Sequence, residues 1–492
     1  PKKRIAIIGA GTAGVATLKT FLVDIPEEAR QGWEVVVFEQ RYGVGGVWLS
    51  DSDPLPEPPE LPETPLYPEL RTNTPHPTMT IPHFTFRPET PLFPRHDAVQ
   101  QYHADVLSHF NLTSHVRLLS RVVEARWTDG QWEVLVEDRS QERSAELARW
   151  EFDHLVVANG HYHYPSEPDI EGLDIWRVRE DKQILHSIYF RRGKDFSGRN
   201  VLVVGGGSSS RDAARQILPF ANSSIYPGIP REQPVPGITY KPAITRFAPA
   251  GVEFADGTAA AGVDTVLLAT GYAVRVPFLT RGGRLPVLAP AEQAGDDGQL
   301  STCLRYVRPL FRHVFALDAA LPPTALAFVG LPVFVANAPS STAQALLVAH
   351  AIADSAVLPS RKAMLADLHA QEERLRAVGY DPAYVGHRLI PLPGSSDTDA
   401  SAAYQDALVR ILQDAGYGGR GAIPPVGTNF TENWRRIGRE NGVLLRRGWE
   451  RVEEGGSRSV QEWVGGVRTE KQWADVMRKL VRWEEEKEKG EG

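Results

Sequence analysis

The chain has 492 residues, 42% hydrophobic and 23% charged, which is room for two or three ordinary globular domains with a large core. A formal net charge of -7 gives no electrostatic case for a nucleic-acid partner. One cysteine, Cys303, excludes an internal disulfide and a dithiol redox centre, and no apolar run reaches the ~18 residues a membrane helix requires.

Cys303 is expected to be a buried thiol, in line with the burial preference of free cysteine. Pro1-Lys2-Lys3-Arg4 reads as a solvated flank of the first strand rather than a targeting tag. No signal peptide is expected, and the expected location is the cytoplasm.

Arg4 to Ile8 forms a short apolar strand. It runs into Gly9-Ala10-Gly11-Thr12-Ala13-Gly14 and a helix through Val15, Leu18 and Leu22. A second strand, Val35-Val36-Val37-Phe38, ends on Glu39. In this order each glycine has its own task. The first makes a tight turn, the second lets backbone approach a pyrophosphate, and the third lets helix and strand pack closely. The helix N-terminus offers N–H groups and partial positive charge to phosphates. Glu39 stands where it accepts hydrogen bonds from ribose hydroxyls.

Residues 51–94 are rich in Pro, Glu and Thr and lack periodicity, which predicts a functional loop region rather than a spacer. Strand alternation returns at Val122-Val123 and from Trp132 to Val136, and His154-Leu155-Val156-Val157 is a further apolar strand. The first pattern then recurs. The strand Asn200 to Val204 leads into Gly205-Gly206-Gly207-Ser208-Ser209-Ser210 and a helix through Ala213, Ala214, Ile217 and Leu218. Ser210 replaces the third glycine and is still small. Two such motifs imply two dinucleotides. Thr265 to Tyr272 closes the second unit, Ala325 to Gly330 is another buried strand, and a helix is expected from Thr342 to Ala356. Trp473, Met477, Leu480 and Trp483 recur at helical spacing as a packing face, with 484–492 expected to fray. No His/Cys/Asp/Glu set has metal-ligand spacing, so no metal is expected.

Several segments from about residue 4 to 375 together resemble the flavin-containing monooxygenase family, especially its fungal members. Gly9, Gly11, Thr12, Ala13, Gly14 and Glu39 match its FAD site. Gly43-Val44-Gly45-Gly46-Val47-Trp48 resembles its glycine–tryptophan segment beside the flavin, and Leu70-Arg71-Thr72-Asn73-Thr74-Pro75 its Thr-Asn segment. Phe93-Pro94, Tyr102 and Phe110 follow the same pattern, and Val123 is counted among the cofactor contacts. Gly205, Gly207, Ser208, Ser209 and Ser210 with Asp212 resemble its NADPH motif, and Thr270 and Gly271 the segment that ends its NADPH domain. Leu326 to Gly330 and Ala343-Gln344-Ala345 resemble its return to the FAD.

The chain also departs from the family. The family motif Phe-x-Gly-x-x-x-His-x-x-x-Tyr/Phe survives only as His186 to Phe190, with Glu180 and Lys182 at the Phe and Gly positions. Beyond Ile225-Tyr226 the expected 2′-phosphate contact is Arg231, slightly off the family's spacing.

The resemblance implies an α/β fold of two Rossmann-type dinucleotide-binding domains, with an NADPH domain at 168–285 inserted in an FAD domain at 1–167 and 286–492, the latter part carrying a C-terminal helical region. It implies an FAD-dependent, NADPH- and O2-consuming monooxygenase that oxygenates a soft nitrogen or sulfur of a small molecule through a C4a-hydroperoxyflavin. Asn73 is the expected protein group at the flavin N5 and C4a, with Arg71, Thr72 and Gln344 as further contacts. A Baeyer–Villiger enzyme acting on a ketone and an uncoupled NADPH oxidase remain as alternatives; Phe190 at the motif's end favours heteroatom oxidation. The expected partners are the substrate and O2, not nucleic acid or membrane, with a homo-oligomer left open.

Overall fold

A computed structural model of the chain describes residues 2–51, 54–140, 147–227, 235–289, 292, 297–392 and 399–491. The chain forms two compact units. One comprises Pro1–Leu49, Arg71–Gly160 and Val274–Gly492, and the other Ser50–Leu70 and His161–Ala273.

In the first unit the strand Lys3–Ile8 lies between Trp33–Phe38 and His154–Val157, parallel to both. Leu326–Phe328 continues the sheet in parallel beside His154–Val157, and two short antiparallel strands, Phe315–Ala316 and Leu310–Phe311, complete that side. Ile5, Ala6 and Ile7 are fully buried because both sheet faces are covered, which is why the strand reads as a continuous apolar run. On one face Ile5 and Ile7 pack in a core with Val15 and Leu18 of helix Thr12–Lys19 and with Leu346 and Leu347 of helix Asn337–Ala353. On the other, Ala6 and Ile8 share a core with Trp132 and Phe152 of an antiparallel three-stranded sheet, Ser120–Thr128, Gln131–Asp138 and Leu147–Phe152.

Two expectations change here. The helix expected from Thr342 begins at Asn337, because Pro339 sits in its first turn, where a missing N–H costs nothing. The tail expected to fray from 484 is instead helical from Glu470 to Glu491. Its Glu484 is buried beside Arg451, and Glu488 pairs with Arg447 at 2.6 Å. The packing face read from sequence is present: Trp473, Met477 and Leu480 share a core with Leu445, Trp449 and Phe93, and Trp483 packs at its margin.

The second unit carries an all-parallel sheet in the order Thr239–Lys241, Ser223–Pro227, Asn200–Val204, Thr265–Leu268, Gln183–His186. Helix Ser208–Ile217 contributes Ala213, Ala214 and Ile217 to a core with Val201, Val203 and Leu267. From sequence, 274–285 groups with this unit. In the structure Val276, Phe278, Leu279 and Leu285 join the first unit's core around Trp132.

The loop region 51–94 divides between the units. Its first part is tied into the second unit. Arg191 pairs with Asp51 at 2.8 Å and donates to the Thr64 carbonyl, and the Tyr189 hydroxyl donates to the Glu60 carbonyl. The part from Arg71 onward belongs to the first unit. No helix among the described residues is long and apolar enough to cross a membrane.

Candidate functional site

The first glycine turn is a set of backbones in direct contact. A Cβ on Gly14 would lie 1.8 Å from the Gly9 carbonyl oxygen, so no other residue fits where the helix leaves the strand. Gly11 and Gly46 face each other so closely that a Cβ on Gly46 would fall 2.8 Å from the Gly11 Cα. The Gly45 N–H donates to the Ala10 carbonyl at 2.9 Å and locks the two segments together. Gly11 is the N-cap of helix Thr12–Lys19, and no side chain caps that end. Its first N–H groups and the helix dipole are therefore available to an anion.

Glu39 is buried at the tip of its strand. Its two carboxylate oxygens accept from the Ala10 N–H at 2.8 Å and the Arg41 N–H at 2.9 Å. Glu39 thus sets an acidic acceptor, held by backbone, beside the turn. These features fit a dinucleotide: a diphosphate at an uncapped helix end and an acceptor for the sugar.

Two residues that the sequence reading missed hold this turn. Buried Arg41 donates to the Gly46 carbonyl at 3.0 Å and the Leu49 carbonyl at 2.8 Å, fixing the segment of Gly46, Val47 and Trp48. The Thr12 hydroxyl bonds the His103 Nε2 at 2.9 Å, while His103 Nδ1 donates to the Val99 carbonyl. Burial lowers the His103 pKa to about 4, so the ring is neutral and its Nε2 accepts from Thr12. The one signal for Arg41 was its place two residues after Glu39; nothing local marked His103.

The second turn has the same course and a different setting. A Cβ on Gly205 would lie 2.2 Å from the Ala269 carbonyl oxygen, so the strand exit is as tight as the first. At Gly206 and Gly207 no described atom beyond their chain neighbours lies within 4 Å of where a Cβ would stand. Gly207 is the uncapped N-cap of helix Ser208–Ile217, and Ser208 and Ser209 are exposed. Ser210 is buried and its hydroxyl donates to the Gly207 carbonyl at 2.8 Å, so the replacement of the third glycine is absorbed within the turn. Thr270 and Gly271 are bonded to Ser166, through the Thr270 hydroxyl at 2.6 Å and the Gly271 carbonyl at 2.8 Å. Arg231 lies outside the described residues.

Residues 2–226 match the family model described as flavin-binding monooxygenase-like. A flavin-containing monooxygenase from Arabidopsis thaliana, FMO GS-OX3, is 31% identical over 400 residues, covering 77% of this chain and 79% of that protein. The chain belongs to the flavin-containing monooxygenase family. Another relative, the flavin-containing monooxygenase ustF2 of Aspergillus flavus, is 26% identical over 442 residues, 76% of this chain and 86% of its own. Among solved structures, the S-allyl-L-cysteine S-oxygenase of Allium sativum superposes with a TM-score of 0.72 at 25% identity, covering 98% of this chain and 99% of that one. As a flavin-containing monooxygenase the protein is an NADPH-dependent oxidoreductase with FAD as its flavin.

The monooxygenase's Thr-Asn segment is seated on its C-terminal helices. Arg71 pairs with Glu453 at 2.7 Å, Arg446 donates to the Thr72 carbonyl, and the Thr72 N–H bonds the Pro94 carbonyl. Thr72 is buried and its hydroxyl has no hydrogen-bond partner among the described residues. Asn73 is exposed, and its amide makes no hydrogen bond among the described residues. Arg435, 2% exposed, fixes the following residues by donating to the Pro77 carbonyl and Thr80 Oγ1 while pairing with Glu432 and Glu470.

Val123 is the extra residue of a bulge: Val122 faces Val136 and Glu124 faces Leu135. Bulges redirect side chains in this way. Gln344 is fully buried. Its oxygen accepts from the Gly330 N–H at 2.9 Å and its nitrogen donates to the Tyr404 hydroxyl at 2.9 Å. Gly330 in turn abuts Ala13, 2.7 Å from where its Cβ would be. Gln344 is thereby placed to support the first turn through Gly330.

The family-motif departures have local explanations. Lys182 donates to the Val263 carbonyl at 2.7 Å and lies over the Trp176 ring, so it is fixed where the family has glycine. His186 donates from Nε2 to the Gly271 carbonyl and accepts the Ile188 N–H at Nδ1. Burial lowers its pKa to about 4, and the neutral ring is a brace for the second turn. Cys303 is buried and unpaired, and burial raises its pKa.

Proposed function

We propose that the first glycine turn holds FAD, that the second holds NADPH, and that the enzyme transfers one oxygen atom of O2 to a soft nucleophilic atom of a small molecule, sulfur in the first instance. The observation carrying this reading is that two uncapped helix ends follow glycine turns on the parallel strands of two separate sheets, one of them beside the buried carboxylate of Glu39. The likeness to an S-oxygenase over nearly the whole chain favours sulfur.

The residues then have these tasks. Gly9, Gly11, Ala13 and Gly14 shape the pyrophosphate cradle, Thr12 lies at its helix end, and Glu39 accepts the adenosine ribose hydroxyls. Arg41 keeps Gly46, Val47 and Trp48 against the cradle, and Val123 lines it from the bulge. Arg71 and Thr72 orient the Asn73 backbone. The free Asn73 amide, a donor and an acceptor at once, serves the reacting edge of the isoalloxazine. On the second unit Gly205, Gly207, Ser208, Ser209 and Ser210 receive the NADPH pyrophosphate, with Thr270 and Gly271 closing that site and Arg231 meeting the 2′-phosphate. The chemistry the bound cofactors supply is hydride delivery from NADPH and activation of dioxygen by reduced FAD.

The test is mass spectrometry of a mixed thioether, amine and ketone panel after incubation with enzyme, NADPH and O2. The expected result is a gain of one oxygen on thioethers, with amines second. Oxygen insertion confined to ketones contradicts the assignment, as does NADPH consumption that yields only hydrogen peroxide.

A further inference from the structure

Segment 329–336 joins the strand Leu326–Phe328 to the helix Asn337–Ala353. Within it Phe334 has a φ of +67°, in the left-handed region that bulky side chains rarely adopt. The turn is imposed from both sides. The Val333 N–H donates to the His387 carbonyl at 2.9 Å, and the Val333 carbonyl accepts from Leu389 at 3.0 Å. The Phe334 carbonyl accepts from Arg439, and the Ala336 N–H donates to Ser401 Oγ. Glycine would meet this backbone without strain. An apolar side chain retained for packing would be buried. Phe334 is neither: the residue is 60% exposed in an unfavourable backbone conformation. Strain maintained by this many contacts, around a side chain with no packing role, points to function.

The location points to the substrate. Gly330, which abuts Ala13 of the first glycine turn, is four residues earlier, so the Phe334 Cα lies within about 14 Å of that contact by chain reach alone. Arg439 belongs to helix Asn433–Glu440. The same helix holds Pro77 and Thr80 through Arg435 and packs Gly438 on Thr78, a few residues beyond Asn73. The loops bearing Phe334 and Asn73 are thus seated on one short helix, and both present exposed side chains.

We propose that Phe334 contacts substrate and determines specificity, its ring forming a wall for the apolar substituent of a thioether. Aromatic rings favour both divalent sulfur and unsaturated or aryl groups. This rests on the oxygenation reading above.

The probes are methyl phenyl sulfide and dimethyl sulfide, with Phe334→Gly and Phe334→Leu enzymes. Binding is read without turnover, by perturbation of the oxidised flavin's absorbance, and KM and kcat are read separately. Phe334→Gly is expected to weaken methyl phenyl sulfide about five- to tenfold in Kd and KM, the scale of one aromatic contact, and dimethyl sulfide far less. Phe334→Leu falls between. Because glycine relieves the strained backbone, Phe334→Gly is also expected to retain its flavin and keep or raise its Tm. An unchanged discrimination between the two sulfides overturns the proposal. So does a lowered Tm with unchanged discrimination, or a weakening confined to NADPH. Wild-type enzyme that binds but oxygenates neither sulfide contradicts the reaction assigned above, while the titration still decides the role of Phe334.

Discussion

The two glycine turns follow the same sequence logic and are built to different tolerances. At the first, Gly11 and Gly46 touch backbone to backbone, Arg41 secures the facing segment and His103 holds Thr12. At the second, among the described residues, only the strand exit is crowded, and no described atom beyond the chain neighbours comes within 4 Å of a Cβ at Gly206 or Gly207, beside exposed Ser208 and Ser209. A socket closed by a second loop suits a cofactor that stays through every cycle. An open turn suits one that must enter and leave. The difference lies in what other segments bring to each turn, not in the glycine motif itself.

The comparison is broken most directly at Gly11. Gly11→Val is expected to abolish flavin retention, because the added side chain, whose Cβ already meets Gly46 at 3.4 Å, occupies the pyrophosphate's place. Absorbance at the flavin band after purification measures this, and full flavin content would refute the assignment of the first turn. Gly207→Val has room for its side chain, so folding and yellow colour should persist while KM for NADPH rises roughly tenfold or more, about the 1.4 kcal/mol of one lost close contact set. If flavin is lost instead, the two sites are exchanged.

Acid should affect both turns through one chemistry. His103 and His186 are held neutral by burial, each with its pKa lowered to about 4 from the usual 6.5. Between pH 6.5 and about 4 the unfolded chain takes up protons that the native rings refuse, so stability is full above 6.5 and falls as pH drops. His103→Gln is expected to flatten part of that fall in Tm. An unchanged slope would mean that His103 is not held neutral.

Asn73→Ala should leave both nucleotides bound and alter the oxygen-transfer half of the cycle, once the flavin has been reduced. A neutral hydrogen bond is worth on the order of 0.5–1.5 kcal/mol, enough for a several-fold change in the ratio of peroxide released to product formed. An unchanged ratio would make Asn73 a bystander. The smallest effect is expected at Arg231, which stands slightly off the family's spacing: Arg231→Ala should weaken NADPH use several-fold while sparing NADH. Equal effects on both would remove it from the 2′-phosphate.

What was legible in the sequence was what short-range rules write. The strand–glycine–helix units stand as read, since a 1.8 Å approach at Gly14 leaves no alternative residue, and buried parallel strands announce themselves as apolar runs. The supports were not legible. Arg435 reaches Pro77 across the length of the chain, His103 reaches Thr12 from another helix, and Gln344 acts on Gly330 and Tyr404 rather than declaring itself by motif. Each depends on tertiary proximity that no local period encodes. The loop region 51–94 looked uniform because its Pro-rich composition is continuous, yet its halves are tied to different units by Arg191 and by the C-terminal helices.

The contrast between a closed and an open turn is tested most directly by retention. The wild-type enzyme is incubated with FAD and NADP+, passed through a desalting column, and the nucleotides remaining on the protein are quantified by chromatography. Stoichiometric FAD with NADP+ largely washed away is the predicted outcome. Retained NADP+ with FAD lost in the wash would contradict it.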